Sequence, residues 1–189
     1  MLTTSDFRKG LKIEIDNAPY VIVDFQHVKP GKGSAFVRTK LRNLITGLVI
    51  DPTFRSGDKL KKPDLVENTM QYLYADGDSY HFMDTRSYEQ VEITKENLGE
   101  AADYLTENLE VSVLLFNGRP LGVDLPNFVE LKITSCDPGI KGDTVSGATK
   151  PATVLTGASF NVPLFINEGD VIRVDTRSHS YVERVATGG

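Results

Sequence analysis

Apolar residues in this chain recur at every second position, in runs too short to be read as amphipathic helices. Leu11, Ile13 and Ile15 alternate with Lys12, Glu14 and Asp16. The turn Asp16-Asn17-Ala18-Pro19 follows, then an apolar run from Tyr20 to Phe25. Lys29-Pro30-Gly31-Lys32-Gly33 separates this run from a strand over residues 35–44, and Gly47 opens another through Leu48 and Ile50. Short strands broken by turn signals every ~8–12 residues predict an all-β chain of small barrels or sandwiches.

Two breaks divide the 189 residues into three pieces, 1–63, 64–127 and 128–189. Lys61-Lys62-Pro63 marks the first and Leu125-Pro126-Asn127 the second. Pieces this small are marginally stable alone, so neighbours are expected to pack on each other. The middle piece carries strands over 69–75 and 79–84, joined by the hairpin signal Asp76-Gly77-Asp78. It also carries one helix, expected over 94–108. Leu98, Ala101, Ala102 and Leu105 follow the helical spacing, and Thr94 is placed to cap the start. The last piece has strands near 128–134, 152–156 and 171–175. No short-period repeat is apparent.

The formal net charge of −5 argues at first sight against a nucleic-acid partner. The total hides an asymmetry. The first piece carries twelve Lys and Arg against six Asp and Glu, the middle piece three against thirteen, and the last six against seven. Between Asp24 and Asp51 there is no acidic residue, while Lys29, Lys32, Arg38, Lys40 and Arg42 fall in that window. Such a segment points to a polyanion-binding end, and equally suits an ordinary solvated face.

Catalytic signatures are missing. His27, His81 and His179 lie far apart, and one cysteine cannot help build a zinc cage. Gly31-Lys32-Gly33-Ser34 faintly resembles a phosphate loop, but Gln26 stands where the leading glycine belongs; Gly142 and Gly147 have the spacing, but Ala148 replaces the lysine. Cys136 has no basic neighbour in sequence to activate it and reads as a packed side chain. Paired carboxylates such as Glu89 and Glu92 read as a solvated acidic face. No catalytic residue, metal or cofactor is expected. No apolar run approaches the roughly 18 residues of a membrane span. The start of the chain lacks a secretory pattern, and a lone cysteine suits a reducing compartment, so a cytoplasmic monomer away from membranes is expected.

The most informative local feature is Pro30-Gly31-Lys32-Gly33. Pro30 fixes one φ and the glycines permit positive φ, so a tight turn presents the Lys32 amine at full reach. In the strand that follows, Phe36, Arg38, Lys40 and Arg42 point one way and Ala35, Val37, Thr39 and Leu41 the other. With the second set inside a barrel, the first forms a basic stripe able to grip phosphates without reading sequence. An ordinary hairpin with a solubilising lysine fits the same local pattern.

The segment from Val28 through Lys32 to Arg38 resembles the first-domain loop of the bacterial translation elongation factor P family. Gly139 to Thr144, Gly147 with Thr149-Lys150-Pro151-Ala152, and Val162 to Asp170 also resemble that family. Asp51 to Gly57, Met70 to Tyr74 and Leu125-Pro126 add matches in order, end to end. The resemblance implies an SH3-like (KOW-type) barrel over 1–63, an acidic OB-fold barrel over 64–127 and a second OB-fold over 128–189. It implies a factor, not an enzyme, that binds the 70S ribosome beside the peptidyl-tRNA and relieves stalling at consecutive prolines. Lys32 sits where the family carries a modified residue, which implies a covalent adduct, a lysine-modifying enzyme as partner, and a loop reaching toward the tRNA CCA end. Contacts with tRNA and rRNA are then expected from Lys29, Pro30, Gly31, Lys32, Gly33, Arg38, Lys40 and Arg42. Gly142, Asp143 and Thr144 match a loop that lies near exit-site mRNA. A few family members carry arginine at the tip. Two departures stand out: Phe160 replaces a usual aliphatic residue, and Arg177-Ser178-His179-Ser180-Tyr181 replaces the usual Arg-Thr-Gly-Glu-Tyr turn. The alternatives are a free-standing OB-fold RNA-binding protein or RNA chaperone, and an acidic adaptor for a basic protein.

Overall fold

The computed structural model describes residues 1–138 and 147–188. They fold into two compact units, Met1–Val66 with Leu115–Leu121, and Glu67–Leu114 with Gly122–Gly189.

The first unit is built on β1 (Leu2–Thr3), β2 (Lys12–Ile15), β3 (Ala18–Val28), β4 (Phe36–Asn43), β5 (Val49–Ile50), β6 (Thr53–Arg55) and β7 (Lys59–Leu60). The sheet runs β2-β3-β4, and both β5 and β6 pair with the far side of β4; β1 pairs with β7. A two-residue loop joins β2 to β3. Both its residues, Asp16 (φ 50°) and Asn17 (φ 63°), take positive φ, the primed-turn geometry that suits the twist of a hairpin. The inward rows meet in a core of Phe7, Leu11, Ile13, Ile22, Val37 and Leu41. Phe7 sets its ring edge-on to Phe54 at 5.7 Å.

Glu14 falls on the outward row by alternation, yet it is only 7% exposed. Its backbone N–H donates to the Lys61 carbonyl at 2.9 Å, and its carboxylate pairs with the Lys61 ammonium at 2.9 Å. The chain leaving β7 therefore covers that face of β2. The burial is tolerated because the charge is paired.

The second sheet runs through β8 (Leu65–Asp76), β9 (Ser79–Asp84), β10 (Gln90–Thr94), β11 (Glu110–Phe116) and β12 (Arg119–Asp124), in the order β10-β9-β8-β11-β12. The third runs through β13 (Phe128–Cys136), β14 (Thr149–Val154), β15 (Ser159–Pro163), β16 (Val171–Asp175) and β17 (Ser180–Ala186), in the order β15-β14-β13-β16-β17. Counted from its own first strand, each sheet has the order third, second, first, fourth, fifth. The same fold is thus used twice, although the sequence shows no period. Val129, Leu131, Ile133, Val154, Phe160, Ile172 and Val174 fill the last core.

The expected helix over 94–108 is shorter and of two kinds. α1 spans Lys95–Leu98, and a 3₁₀ segment continues over Gly99–Tyr104. Thr94 caps it as expected, its hydroxyl accepting from the Asn97 N–H at 3.3 Å. The break is at Gly99 (φ 57°, ψ −131°), a conformation outside any right-handed helix. Leu98, Tyr104 and Leu105 are buried nonetheless.

Asp84 ends β9 and holds the next turn. Its Oδ1 accepts the N–H groups of Arg86 (2.7 Å) and Ser87 (3.1 Å), and these bonds hold its carboxyl below the usual carboxylate range. A carboxyl whose native pKa is depressed stabilises fully above its unfolded value of ~3.9 and loses that contribution as pH falls through the native value. Asp84→Asn should therefore melt below wild type at pH 7, and the gap should close as the pH falls from about 4. Thermal melts followed by circular dichroism, the chain having no tryptophan, would read it.

Candidate nucleic-acid interface on the first barrel

β3 and β4 are joined by residues 29–35, with Lys32 at the exposed tip. Gly33 takes φ 101°, a conformation costly for any residue with a Cβ. Gly31 does not take positive φ, and a Cβ placed there would meet nothing within 4 Å. Of the two glycines flanking Lys32, only Gly33 is demanded by the fold. Gly33→Ala should destabilise the loop by about 1 kcal/mol, while Gly31→Ala should leave the melting temperature unchanged. No hydrogen bond or ion pair to the Lys32 ammonium is found among the described residues.

The alternation in β4 holds at each position. Val37, Thr39 and Leu41 are buried; Arg38, Lys40 and Arg42 are exposed. Thr39, the one polar residue of the inward row, is satisfied because its hydroxyl donates to the Pro52 carbonyl at 2.6 Å. Phe36 is half-buried, with the Arg38 guanidinium 5.6 Å above its ring. This partly screens the ring and orients the charge.

The strands beside β4 modify the stripe in two ways. Arg55 is the register partner of Phe36, so its exposed side chain adds a cation at the loop end of the face. Sequence reasoning missed it, although Phe54 inward and Arg55 outward repeat the two-residue period. Asp24 is the partner of Lys40, and Asp24 and Asp51 line one shallow depression with Gln26, Arg38 and Lys40. The two acids that bound the acid-free window in sequence thus return beside the stripe in space. Arg38 faces Gln26 and Thr53, and Arg42 faces Val21 and Val49. Arg38 and Lys40 thus share their depression with two acids and Arg42 does not, while the Asp24 carboxylate itself pairs with the Lys9 ammonium at 3.8 Å.

Other chemistry is limited. Burial pushes the Cys136 thiol up, and its S–H lies 3.7 Å from the Ile166 carbonyl. A thiol of that kind is a poor nucleophile. No group of three or more His, Cys, Asp and Glu placed to hold a metal is found among the described residues. No helix among them is long and apolar enough to cross a membrane. Gly142, Asp143 and Thr144 lie outside the described residues. On the flanks of their segment, the ammonium of the buried Lys150 donates to the Asp137 carbonyl, an anchor the sequence did not disclose.

Three family models match the chain in order. They are an elongation factor P KOW-like domain over residues 3–60, an elongation factor P OB domain over 65–123, and an elongation factor P C-terminal domain over 129–184. The elongation factor P of Maridesulfovibrio salexigens is 58% identical over 184 residues, 97% of this chain and 99% of that one. That of Natranaerobius thermophilus is 55% identical over 185 residues, 98% of each. A solved structure of translation initiation factor 5A from Methanococcus jannaschii shares the fold, with a TM-score of 0.58, 24% identity, and 66% of this chain and 91% of that one covered. A KOW-like barrel followed by OB-type sheets, matched over nearly the whole chain, defines a translation elongation factor. The chain belongs to the elongation factor P family.

Proposed function

We propose that this factor binds the 70S ribosome beside the peptidyl-tRNA and relieves stalling at consecutive prolines, with the Lys32 loop positioning the tRNA CCA end. The observation that carries this reading is an exposed lysine, with no bond to its ammonium among the described residues, at the tip of a loop rooted in a basic face.

Proline is a poor partner in peptide-bond formation because its ring locks φ and restricts the residue before it. A stiff nascent end then rests in an unreactive pose. Holding the tRNA end in place supplies orientation, and each ~1.4 kcal/mol gained at the transition state is tenfold in rate. The reacting groups are the ribosome's, and the factor is not itself an enzyme. A general-base role for Lys32 would need burial to depress its pKa, which an exposed tip does not offer. An adduct added by a lysine-modifying enzyme would extend its reach and its hydrogen bonding. Arg42 and Arg55 would grip tRNA and rRNA phosphates, with Lys29, Pro30, Gly31 and Gly33 shaping the approach and Arg38 and Lys40 adding less because Asp24 and Asp51 share their depression. Gly142, Asp143 and Thr144 would meet exit-site mRNA. The setting is the cytoplasm, where ribosomes work.

The middle barrel, with thirteen acids against three bases, would repel phosphate and so fix the docking orientation. Glu89, Glu92, Glu96 and Glu100 are all exposed. Changing the four to glutamine should raise binding to non-specific RNA in filter assays; unchanged binding would remove this role.

The test is a reconstituted translation system stalled on a triple-proline message. Full-length product should appear when the modified protein is added. Continued stalling would overturn the reading, and tight binding to free single-stranded RNA without ribosomes would favour an OB-fold RNA chaperone instead.

A further inference from the structure

Three aromatic residues from two different barrels meet within the second compact unit. Tyr104 ends the 3₁₀ segment of the middle barrel, yet it is buried with the core of the C-terminal barrel, among Val129, Leu131, Ile133 and Phe160. His179 lies in the turn between β16 and β17. Its ring stacks on Phe160 at 4.1 Å and 11°, and Tyr104 meets Phe160 edge-on at 6.0 Å. The His179 Nε2 is 2.9 Å from the Ser159 carbonyl, which can only accept, so Nε2 carries the hydrogen. In the neutral ring Nδ1 is then an acceptor, and it takes the Tyr104 hydroxyl at 2.5 Å. Burial, with Asp103, Glu100 and Asp175 nearby, pushes the Tyr104 phenol up and keeps it a donor. Beside the rings, the Thr156 hydroxyl donates to the Asp103 carbonyl at 2.6 Å, a second polar tie between the same two barrels.

His179 holds this place against its backbone preference. Its φ is 54°, in the left-handed region that glycine enters freely and other residues do not. A turn that needed only its shape would be better served by glycine. The ring also lies flat against Phe160, which ties the strained turn to the core of the C-terminal barrel.

We propose that Tyr104, Phe160 and His179 form a latch that makes the middle and C-terminal barrels move as one body, with His179 as its positioning residue. The ring contributes one face to Phe160 and one nitrogen to each barrel. The latch fixes the seat of Tyr104 and through it the end of the helical segment. It stands independently of what the Lys32 loop does.

The test uses the full-length protein. His179→Gly relieves the backbone, so a turn without a latch would become more stable. With the latch, the variant should instead melt lower, and amide relaxation should show residues 67–114 and 128–186 reorienting separately. Tyr104→Phe keeps the ring and removes one bond, and should speed hydrogen exchange at residues 99–105 by roughly fivefold, the size of one hydrogen bond. In a double-mutant cycle, Phe160→Leu and His179→Gly should be less than additive. A His179→Gly protein that is as stable as wild type and keeps common tumbling overturns the latch. Should that variant not fold, unchanged exchange in Tyr104→Phe overturns it equally.

Discussion

Lys32→Ala should abolish rescue of a triple-proline message while leaving the fold intact. The side chain is exposed and no bond to its ammonium is found among the described residues, so its loss should change stability by less than about 0.5 kcal/mol. The activity loss should be at least about tenfold in Pro-Pro bond formation, since a positioning contact of ~1.4 kcal/mol or more disappears. Lys32→Arg separates charge from modification. It keeps a cation of similar reach but presents no amine to a lysine-modifying enzyme, so it should bind ribosomes normally and rescue poorly. The paired measurements are peptide-bond rates in the reconstituted system and intact mass of protein from its native host, where an increment confined to Lys32 is expected. Equal rates for wild type and Lys32→Ala would remove the loop from the mechanism.

Reversing the stripe should have the second largest effect. Changing Arg38, Lys40 and Arg42 together to glutamate replaces three cations by three anions and cancels the +6 of residues 1–63. All three side chains are exposed and the inward row of β4 is untouched, so the circular dichroism melt should hardly move. Ribosome binding should fall by more than about a hundredfold at moderate salt, and the slope of log affinity against log salt should flatten by about 2–3, close to one per lost phosphate contact. Taken singly, Arg42→Glu should weaken binding more than Arg38→Glu or Lys40→Glu, because Arg38 and Lys40 share their depression with Asp24 and Asp51 and Arg42 does not. Equal effects from the three would mean that the field of the whole barrel matters and local pairing does not.

What the sequence disclosed and what it hid divide along a physical line. Alternation within one strand is a local property, and it placed Val37, Thr39 and Leu41 inside and Arg38, Lys40 and Arg42 outside. The Lys32 tip was legible because Pro30 and Gly33 restrict the chain within a few residues. The hidden features depend on residues far apart in sequence. Glu14 is buried because Lys61 returns over it. Asp24 comes beside the stripe through cross-strand pairing and Asp51 through the connection between β5 and β6, and Arg55 joins Phe36 across strands. The helical spacing of Leu98, Ala101, Ala102 and Leu105 was real, but Gly99 turns the backbone out of the α region and burial of Tyr104 takes over. Phe160 and His179 were visible as separate oddities, and only the fold shows that they touch.

The shared strand order of the second and third sheets has a kinetic consequence. In each, the first three strands form a meander from neighbouring segments, whose hairpins close on the microsecond scale, roughly 1–10 μs. The fourth strand must then return to the first across a long interval: Gln71 bonds Asn108 over 37 positions, and Arg173 reaches Glu130 over 43. Closing loops of that length precedes any reward from the contacts they bring together. Each barrel therefore meets its main entropic barrier at the same topological step, and a newly made chain crosses it twice, first before and then after residue 128 has been synthesised.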